Sequence, residues 1–194
     1  MHADPSRSRP QPAPGPADPG RTGCALLRMA VGDDAVAVPI ADVREILEVG
    51  RLTALPRTPA FVRGVMNLRG AVVPVIDLLA RLGRPPAEIG RRSCVVVVEA
   101  GPPAHDGGGD DAHGMHDNHL DEVLVVGLLV DAVFEVFDAP PGEFEPVPPL
   151  GTRIAAGYLQ GISRVRGEPI GVLALERVLA QQDLCALIAA HVPH

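Results

Sequence analysis

The feature that most constrains this fold is the way its apolar residues are grouped into short runs separated by turn-forming residues. The clearest runs are Cys94–Glu99 and Val123–Val130, both rich in valine. They are too short to be long helices, and β-branched side chains favour strands. With no Trp, one Tyr and four Phe, the core must be mainly aliphatic. Many short strands with turns between them predict a mostly-β protein built as small barrels or a sandwich.

Three hairpins are predicted from apolar runs that flank turns or loops. They are Cys24–Val31 with Ala35–Ile40, Cys94–Glu99 with Val123–Val130 across an enlarged loop, and Leu159–Val165 with Ile170–Leu175. The run Ala71–Ile76 is another strand, and its Pro74 predicts an edge or a bulge. No internal repeat is evident along the chain.

The remaining segments are less regular. Asp42–Val49 fits a short helical turn or an irregular edge, and Leu52–Leu55 fits a short strand. Asp77 is placed to cap a short helix, Leu78–Leu82, that ends at Gly83. An apolar stripe beginning at Leu175 predicts a closing amphipathic helix.

Composition sets the boundaries of the folded part. We expect residues 1–20, with six prolines, to be a disordered arm, residues 21–186 to be one domain, and residues 101–122 to be a flexible acidic, His-rich insertion within it. The net charge is −7, and six acidic residues lie in the insertion, so the remainder is close to neutral. Without a basic face, a nucleic-acid partner is not expected.

The chain also lacks targeting and membrane signals. Its apolar runs are too short to span a bilayer, and Met1–Gly20 lacks the apolar stretch of a signal peptide. Cys24, Cys94 and Cys185 are widely spaced and odd in number, as expected of free thiols in a reducing cytosol. We therefore predict a cytoplasmic protein with no membrane insertion.

Catalytic chemistry is poorly supported. There is no lysine, which excludes a phosphate-loop lysine and a Schiff-base amine. None of the four serines lies in a nucleophile-elbow pattern. We expect no catalytic residue, no cofactor and no resident metal. A metal-binding module is the alternative for the insertion, whose His105, His113, His116 and His119 lie among aspartates, although a solvated acidic linker is the simpler interpretation.

The most informative segment is Asn67-Leu68-Arg69-Gly70, a polar tetrad between two apolar strands. Asn67 and Gly70 both tolerate positive φ, so a tight loop is predicted. Strands on both sides would hold Arg69 in a fixed position, where its guanidinium could bind a carboxylate or the backbone of a partner. The alternative is a solvated turn arginine.

This segment resembles the hallmark of the chemotaxis coupling proteins, the CheW-like domain family. The resemblance extends over about residues 24–182, and includes Val38-Pro39-Ile40, Pro59–Gly64, Gly127–Val133 and Tyr158–Gly161. It implies two small five-stranded SH3-like β-barrels that share a hydrophobic core, with a C-terminal helix.

The resemblance also implies a function: a stand-alone adaptor that couples the cytoplasmic signalling tips of methyl-accepting chemoreceptors to the regulatory domain of a CheA-type histidine kinase. Such an adaptor is recruited to membrane-associated receptor arrays. The implied receptor-binding residues are Val43, Glu45, Gly64, Asn67, Arg69, Gly70, Gly127, Val133 and Val136, with Glu45 and Arg69 paired. The implied kinase-binding residues are Ile46 and Leu52. An adaptor in a chemosensory-like pathway that controls pili, surface motility or second-messenger output is the alternative.

Overall fold

The structure is a computed structural model that describes residues 24–100, 124–139, 144–148 and 153–179. The predicted arm at 1–20, the insertion at 101–122 and most of the predicted closing helix lie outside the described residues.

The described residues form ten strands and two one-turn helices. The strands are β1 Cys24–Val31, β2 Asp34–Pro39, β3 Val43–Glu48, β4 Val62–Leu68, β5 Ala71–Asp77, β6 Cys94–Ala100, β7 Leu124–Val130, β8 Ala132–Ala139, β9 Leu159–Val165 and β10 Glu168–Leu173. The helices are α1 Leu78–Arg81 and α2 Leu175–Val178. Single 3₁₀ turns precede β3 and β9.

These strands form two five-stranded sheets. The first has the order β8-β1-β2-β10-β9 and the second the order β3-β6-β7-β5-β4. Neighbours are antiparallel except for β2 with β10 and β5 with β7, which are parallel. We call these sheets the first and second barrel. The predicted mostly-β fold of two five-stranded barrels is confirmed.

The largest apolar cluster draws on both barrels, so they share one core, as predicted. Strand β6 is a continuous run of valines because alternate residues are buried in two different apolar clusters. Val96 and Val98 are buried in the shared core, whereas Val95 and Val97 are buried in a smaller cluster belonging to the second barrel alone. A strand buried on both faces needs apolar residues at every position rather than at every second one.

The three predicted hairpins and the Asp77 cap are present. Asp77 Oδ1 accepts a hydrogen bond from Ala80 N at 3.0 Å. Two details differ from the predictions. The predicted short strand Leu52–Leu55 is reduced to an isolated bridge between Thr53 and Val65. Strand β5 lies inside its sheet rather than at an edge; its Pro74 is accommodated because β7 pairs with β5 only from Val75 onward.

The structure reveals an internal repeat that the sequence did not suggest to us. The first residues of β9, β10 and α2 follow the first residues of β4, β5 and α1 by the same number of positions. The hairpin β4–β5 with helix α1 is therefore repeated as the hairpin β9–β10 with helix α2. Backbone contacts repeat with it: Val65 and Ile162 each pair with an isolated residue, Thr53 and Glu145 respectively. The two halves have diverged at most positions, which hides the repeat from a single-sequence search for periodicity.

In chain order, the first half of the fold is β1–β5 with α1 and the second half is β6–β10 with α2, and the two halves exchange strands. Strands β1 and β2 pair with β8–β10, whereas β6 and β7 pair with β3–β5. Each barrel is therefore assembled from both halves of the chain, and neither half contains a complete sheet.

Arg81 of α1 joins the two repeats. Its guanidinium carbon lies 4.8 Å from the ring centre of Phe61 and 5.5 Å from that of Tyr158, two residues at equivalent positions of the repeats. Its Nε donates to the carbonyl of Val178 in α2 at 2.6 Å. Cation–π contacts and a charged hydrogen bond thus stabilise the junction between the barrels.

The β6–β7 ladder is complete without the insertion, since its pairs run from Cys94–Val130 to Ala100–Leu124. Replacing residues 102–121 with a short Gly-containing turn should leave the melting temperature almost unchanged, because loop closure changes by only about 0.6 kcal/mol per doubling of length. Differential scanning calorimetry of both forms measures this. A fall of more than about 10 °C, equivalent to a few kcal/mol at this size, would show that the insertion packs on the body.

Candidate docking site

The tight loop predicted at Asn67–Gly70 is a two-residue hairpin turn. Leu68 and Ala71 are the last paired residues, so Arg69 and Gly70 occupy the two central positions. Their φ angles are 52° and 94°, as a type I′ turn requires at both positions. Asn67 does not adopt the positive φ that its residue type tolerates, because it belongs to β4. Its side chain instead accepts a hydrogen bond from Gly70 N at 2.9 Å and holds the turn.

Arg69 contacts Glu45, as the resemblance implied. Arg69 Nη2 lies 3.2 Å from Glu45 Oε2, with the arginine side chain 83% exposed and the glutamate side chain 18% exposed. The contact joins the β4–β5 turn to β3, an edge strand of the second barrel. An ion pair this exposed contributes only about 0–1 kcal/mol to folding. Most of the guanidinium surface remains accessible to a partner.

The aliphatic residues implied by the resemblance divide into two groups. Val43 and Val133 are half-buried against the shared core and lie on the edge strands β3 and β8. Ile46 and Val136 are 43% and 51% exposed on the same two strands. Leu52 is half-buried against the second barrel's own cluster. The edge strands therefore carry both anchored and exposed aliphatic side chains.

Gly64 and Gly127 are buried and offer little surface to a partner. A Cβ atom at Gly64 would lie 2.2 Å from the carbonyl oxygen of Thr53, and one at Gly127 would lie 2.6 Å from Cγ1 of Val95. Both glycines permit close packing between neighbouring segments. Substitutions at these glycines would therefore affect partner binding indirectly, by changing the shape of the second barrel.

Sequence reasoning missed a second ion pair of the same kind. Arg166 Nη2 lies 3.4 Å from Glu135 Oε2, and Arg166 is 83% exposed. Arg166 and Gly167 form a two-residue turn with φ angles of 52° and 88°. The recurrence of Arg-Gly after an apolar strand, once in each repeat, was the available signal.

A buried network of polar contacts at the other end of the β4–β5 hairpin was also not predicted from the sequence. Asp77 is fully buried, and its Oδ2 accepts a hydrogen bond from Ala87 N at 2.8 Å. Arg63 Nε lies 3.1 Å from the same oxygen, without the alignment of a hydrogen bond, and Arg63 Nη2 donates to the Ala87 carbonyl. The network fixes the chain that follows α1.

Among the described residues, one thiol has a shifted pKa. Burial raises the pKa of the Cys94 thiol, with a smaller opposing effect from a hydrogen bond to the Val133 backbone. Within the described ranges there is no cluster of His, Cys, Asp and Glu suited to a metal ion. No helix in that part of the chain is long and apolar enough to cross a membrane.

Known proteins resemble this chain over most of its length. A family model described as "CheW-like domain" matches residues 25–183. The "Probable chemotaxis protein CheW" of Rhizobium etli is 32% identical, with 81% of this chain and 88% of that protein covered. "Protein FrzA" of Myxococcus xanthus is 35% identical, covering 77% of this chain and 81% of that protein.

The fold agrees with a solved structure of the same kind. The scaffolding protein TtCheW from Thermoanaerobacter tengcongensis superposes with a TM-score of 0.64 at 27% identity, covering 84% of this chain and 96% of that one. The two barrels with their shared core, the Arg-Gly turn and these matches lead to one conclusion: the chain belongs to the CheW-like domain family.

Proposed function

We propose that this chain is a non-enzymatic scaffold that couples chemoreceptors to a CheA-type histidine kinase in bacterial chemotaxis signal transduction. The observation that carries the proposal is the Arg69 turn: a guanidinium held by a two-residue turn, paired with Glu45 and still 83% exposed. Family membership supports the adaptor role, since the solved relative is called a scaffolding protein.

The receptor signalling tip binds around the Arg69–Glu45 pair. Glu45 orients the Arg69 guanidinium without covering it. The remaining N–H donors of Arg69 can therefore bind a carboxylate of the receptor in a planar, bidentate manner. Val43, Val133 and Val136 on β3 and β8 supply the apolar part of this surface. A specific interface usually combines apolar side chains with an arginine anchor.

The kinase regulatory domain binds at Ile46 and Leu52. Ile46 is exposed on edge strand β3, and Leu52 precedes Thr53, which pairs with β4. The protein acts in the cytoplasm, and its contacts with the receptor and with the kinase recruit it to receptor arrays.

A chemosensory-like pathway other than chemotaxis is the second candidate. It is favoured by the 35% identity to FrzA, a relative whose name is not that of a chemotaxis protein. Coupling by the same surfaces would serve either pathway, and co-purification with one receptor class rather than another would distinguish them.

We expect Arg69→Ala to fold almost normally and to lose receptor binding by at least tenfold. The exposed pair contributes about 0–1 kcal/mol to stability, whereas a buried charged anchor in an interface is worth about 2 kcal/mol or more, or roughly 30-fold. Pull-down with receptor signalling fragments, run beside a melting curve, measures both quantities.

Arg153→Ala is the matched control, because Arg153 is another exposed arginine, 3.4 Å from Asp33 on the first barrel. Arg69→Gly is the second variant: it removes the side chain and also relieves the positive φ, so it cannot fail through turn strain. If both Arg69 variants bind receptors like the wild type, Arg69 is a solvated turn residue and the proposed site is wrong.

A further inference from the structure

The junction between the two barrels is built from residues at equivalent positions of the repeats. Phe61 directly precedes β4 in the second barrel, and Tyr158 directly precedes β9 in the first. Their carbonyls accept equivalent hydrogen bonds, of 2.7 Å from Asp77 N and 2.9 Å from Ala174 N. The guanidinium carbon of Arg81 lies over both rings, 4.8 Å and 5.5 Å from their centres. One side chain of α1 thus contacts equivalent aromatic residues of both barrels.

Arg81 also contacts its own counterpart in the other repeat. Val178 occupies in α2 the position that Arg81 occupies in α1, and its carbonyl accepts the 2.6 Å hydrogen bond from Arg81 Nε. Because like charges repel, arginine at both positions would be unfavourable, and Val178 supplies a neutral, fully buried side chain instead. Two of the three groups that Arg81 contacts, Tyr158 and Val178, flank strands of the first barrel. Arg81 therefore connects the second barrel to the first.

The contacts of Arg81 are directional, unlike those of the shared core. The buried residues of that core are aliphatic side chains and Met29. Hydrophobic burial has no preferred direction, and apolar cores lose rigidity before they lose stability. A hydrogen bond has a preferred angle, and so does the stacking of a planar guanidinium on an aromatic ring. The Arg81 contacts are therefore suited to fixing the angle between the barrels.

The proposed receptor surface depends on this angle because it is divided between the barrels. Arg69 lies on the second barrel, whereas Val133 and Val136 lie on β8 of the first. The proposed kinase-binding residues differ, since Ile46 lies on β3 and Leu52 packs in the cluster of the second barrel alone. A change of angle would displace one half of the receptor surface relative to the other and leave the kinase surface intact.

We propose that Arg81 is a positioning residue for receptor binding. It fixes the barrels at the angle at which both halves of the receptor surface face one receptor tip. The inference rests on the proposed function. Without the Arg81 contacts the barrels sample several angles around the shared core, and only molecules at the competent angle bind the tip. The apparent Kd then rises as the inverse of the competent fraction.

Isothermal titration calorimetry of the full chain tests the proposal with two partners, a receptor signalling-tip fragment and the kinase regulatory domain from the same genome. Arg81→Met keeps an unbranched side chain and removes the guanidinium. It should weaken receptor binding by about tenfold, equivalent to a competent fraction of about one-tenth, with kinase affinity unchanged. Arg81→Lys keeps the cation without the planar fork and should give an intermediate loss. The control Arg153→Met, at an arginine side chain that is 59% exposed, should bind both partners normally.

Two aromatic replacements separate positioning from stability. Phe61 and Tyr158 are both half-buried against the shared core, so leucine at either position should lower the melting temperature to a similar extent. Phe61→Leu retains the contacts of Arg81 across the junction and should keep receptor affinity. Tyr158→Leu removes one of those contacts and should weaken receptor binding severalfold.

Residual dipolar couplings of the backbone amides measure the angle between the barrels without a partner. In the wild type, the couplings from both barrels should fit a single alignment tensor. In Arg81→Met, the two barrels should require different tensors because their relative orientation is averaged.

The inference can fail while the proposed function stands. Equal losses of receptor affinity in Phe61→Leu and Tyr158→Leu would overturn it. So would an Arg81→Met variant that binds the receptor like the wild type, weakens receptor and kinase binding equally, or retains a single alignment tensor. A wild type that binds no receptor tip overturns the proposed function, and this inference with it.

Discussion

Gly64→Ala is expected to destabilise the protein by about 2–6 kcal/mol. Gly64 has a φ of +133°, a conformation that L-residues rarely adopt, which costs about 1–3 kcal/mol. In addition, the new Cβ would lie 2.2 Å from the Thr53 carbonyl oxygen, which is rigid backbone. Relieving that overlap costs about 1–3 kcal/mol more. Urea denaturation measures the change in the free energy of unfolding.

Two other glycines separate the two contributions. Gly70 has a φ of +94°, and a Cβ added there would meet no atom within 4 Å, so Gly70→Ala should lose only the conformational part, about 1–2 kcal/mol. Gly157 has neither constraint, and Gly157→Ala should stay within about 0.5 kcal/mol of the wild type. Equal costs at Gly64 and Gly70 would show that Thr53 moves aside freely.

Gly64→Ala should also weaken kinase binding. The segment around Thr53 is held by two hydrogen bonds of 2.9 Å to Val65, directly after Gly64. A side chain at Gly64 would push Thr53 and the adjoining Leu52 away from β4. We therefore expect Gly64→Ala to reduce affinity for the kinase regulatory domain even at temperatures where it remains folded.

Asp77→Ala is expected to cost about 3–5 kcal/mol, because it removes the centre of a buried network. The carboxylate caps α1, accepts the Ala87 N–H and pairs with Arg63, and all three contacts are lost together. Loss of a helix cap costs about 1 kcal/mol. Leaving the largely buried Arg63 charge without its partner costs more. That loss is about 3–5 kcal/mol when a pair is fully buried, and somewhat less for Arg63, which is 28% exposed.

The control is Asp138→Ala, an exposed aspartate on β8 that should change stability by less than about 0.5 kcal/mol. A double variant, Asp77→Ala with Arg63→Ala, should recover part of the loss because it removes the uncompensated charge. If Asp77→Ala costs less than about 1 kcal/mol, solvent reaches Arg63 and the network does not stabilise the fold. Receptor binding should persist in the folded fraction, since Arg69 lies at the opposite end of the β4–β5 hairpin.

The local structure was determined largely by the sequence itself. Valine-rich runs and turn residues predicted the hairpins β1–β2, β6–β7 and β9–β10, and Asp77 predicted the start of α1. These signals are local, since strand propensity, turn chemistry and capping depend on residues a few positions apart. The family resemblance added the Arg69–Glu45 pair, which local patterns could not connect.

Only the tertiary structure decided which residues meet across the chain. The exchange of strands between repeats, the equivalence of Arg166–Glu135 with Arg69–Glu45 and the position of β5 inside its sheet depend on pairings between distant segments. The pairing of Arg63 with Asp77 is a further example. From the sequence alone an arginine in a strand is expected to be solvated, and only the structure shows the buried carboxylate beside it. A single sequence specifies the alternation along each strand, but the partner on each side is chosen by the packing of the shared core.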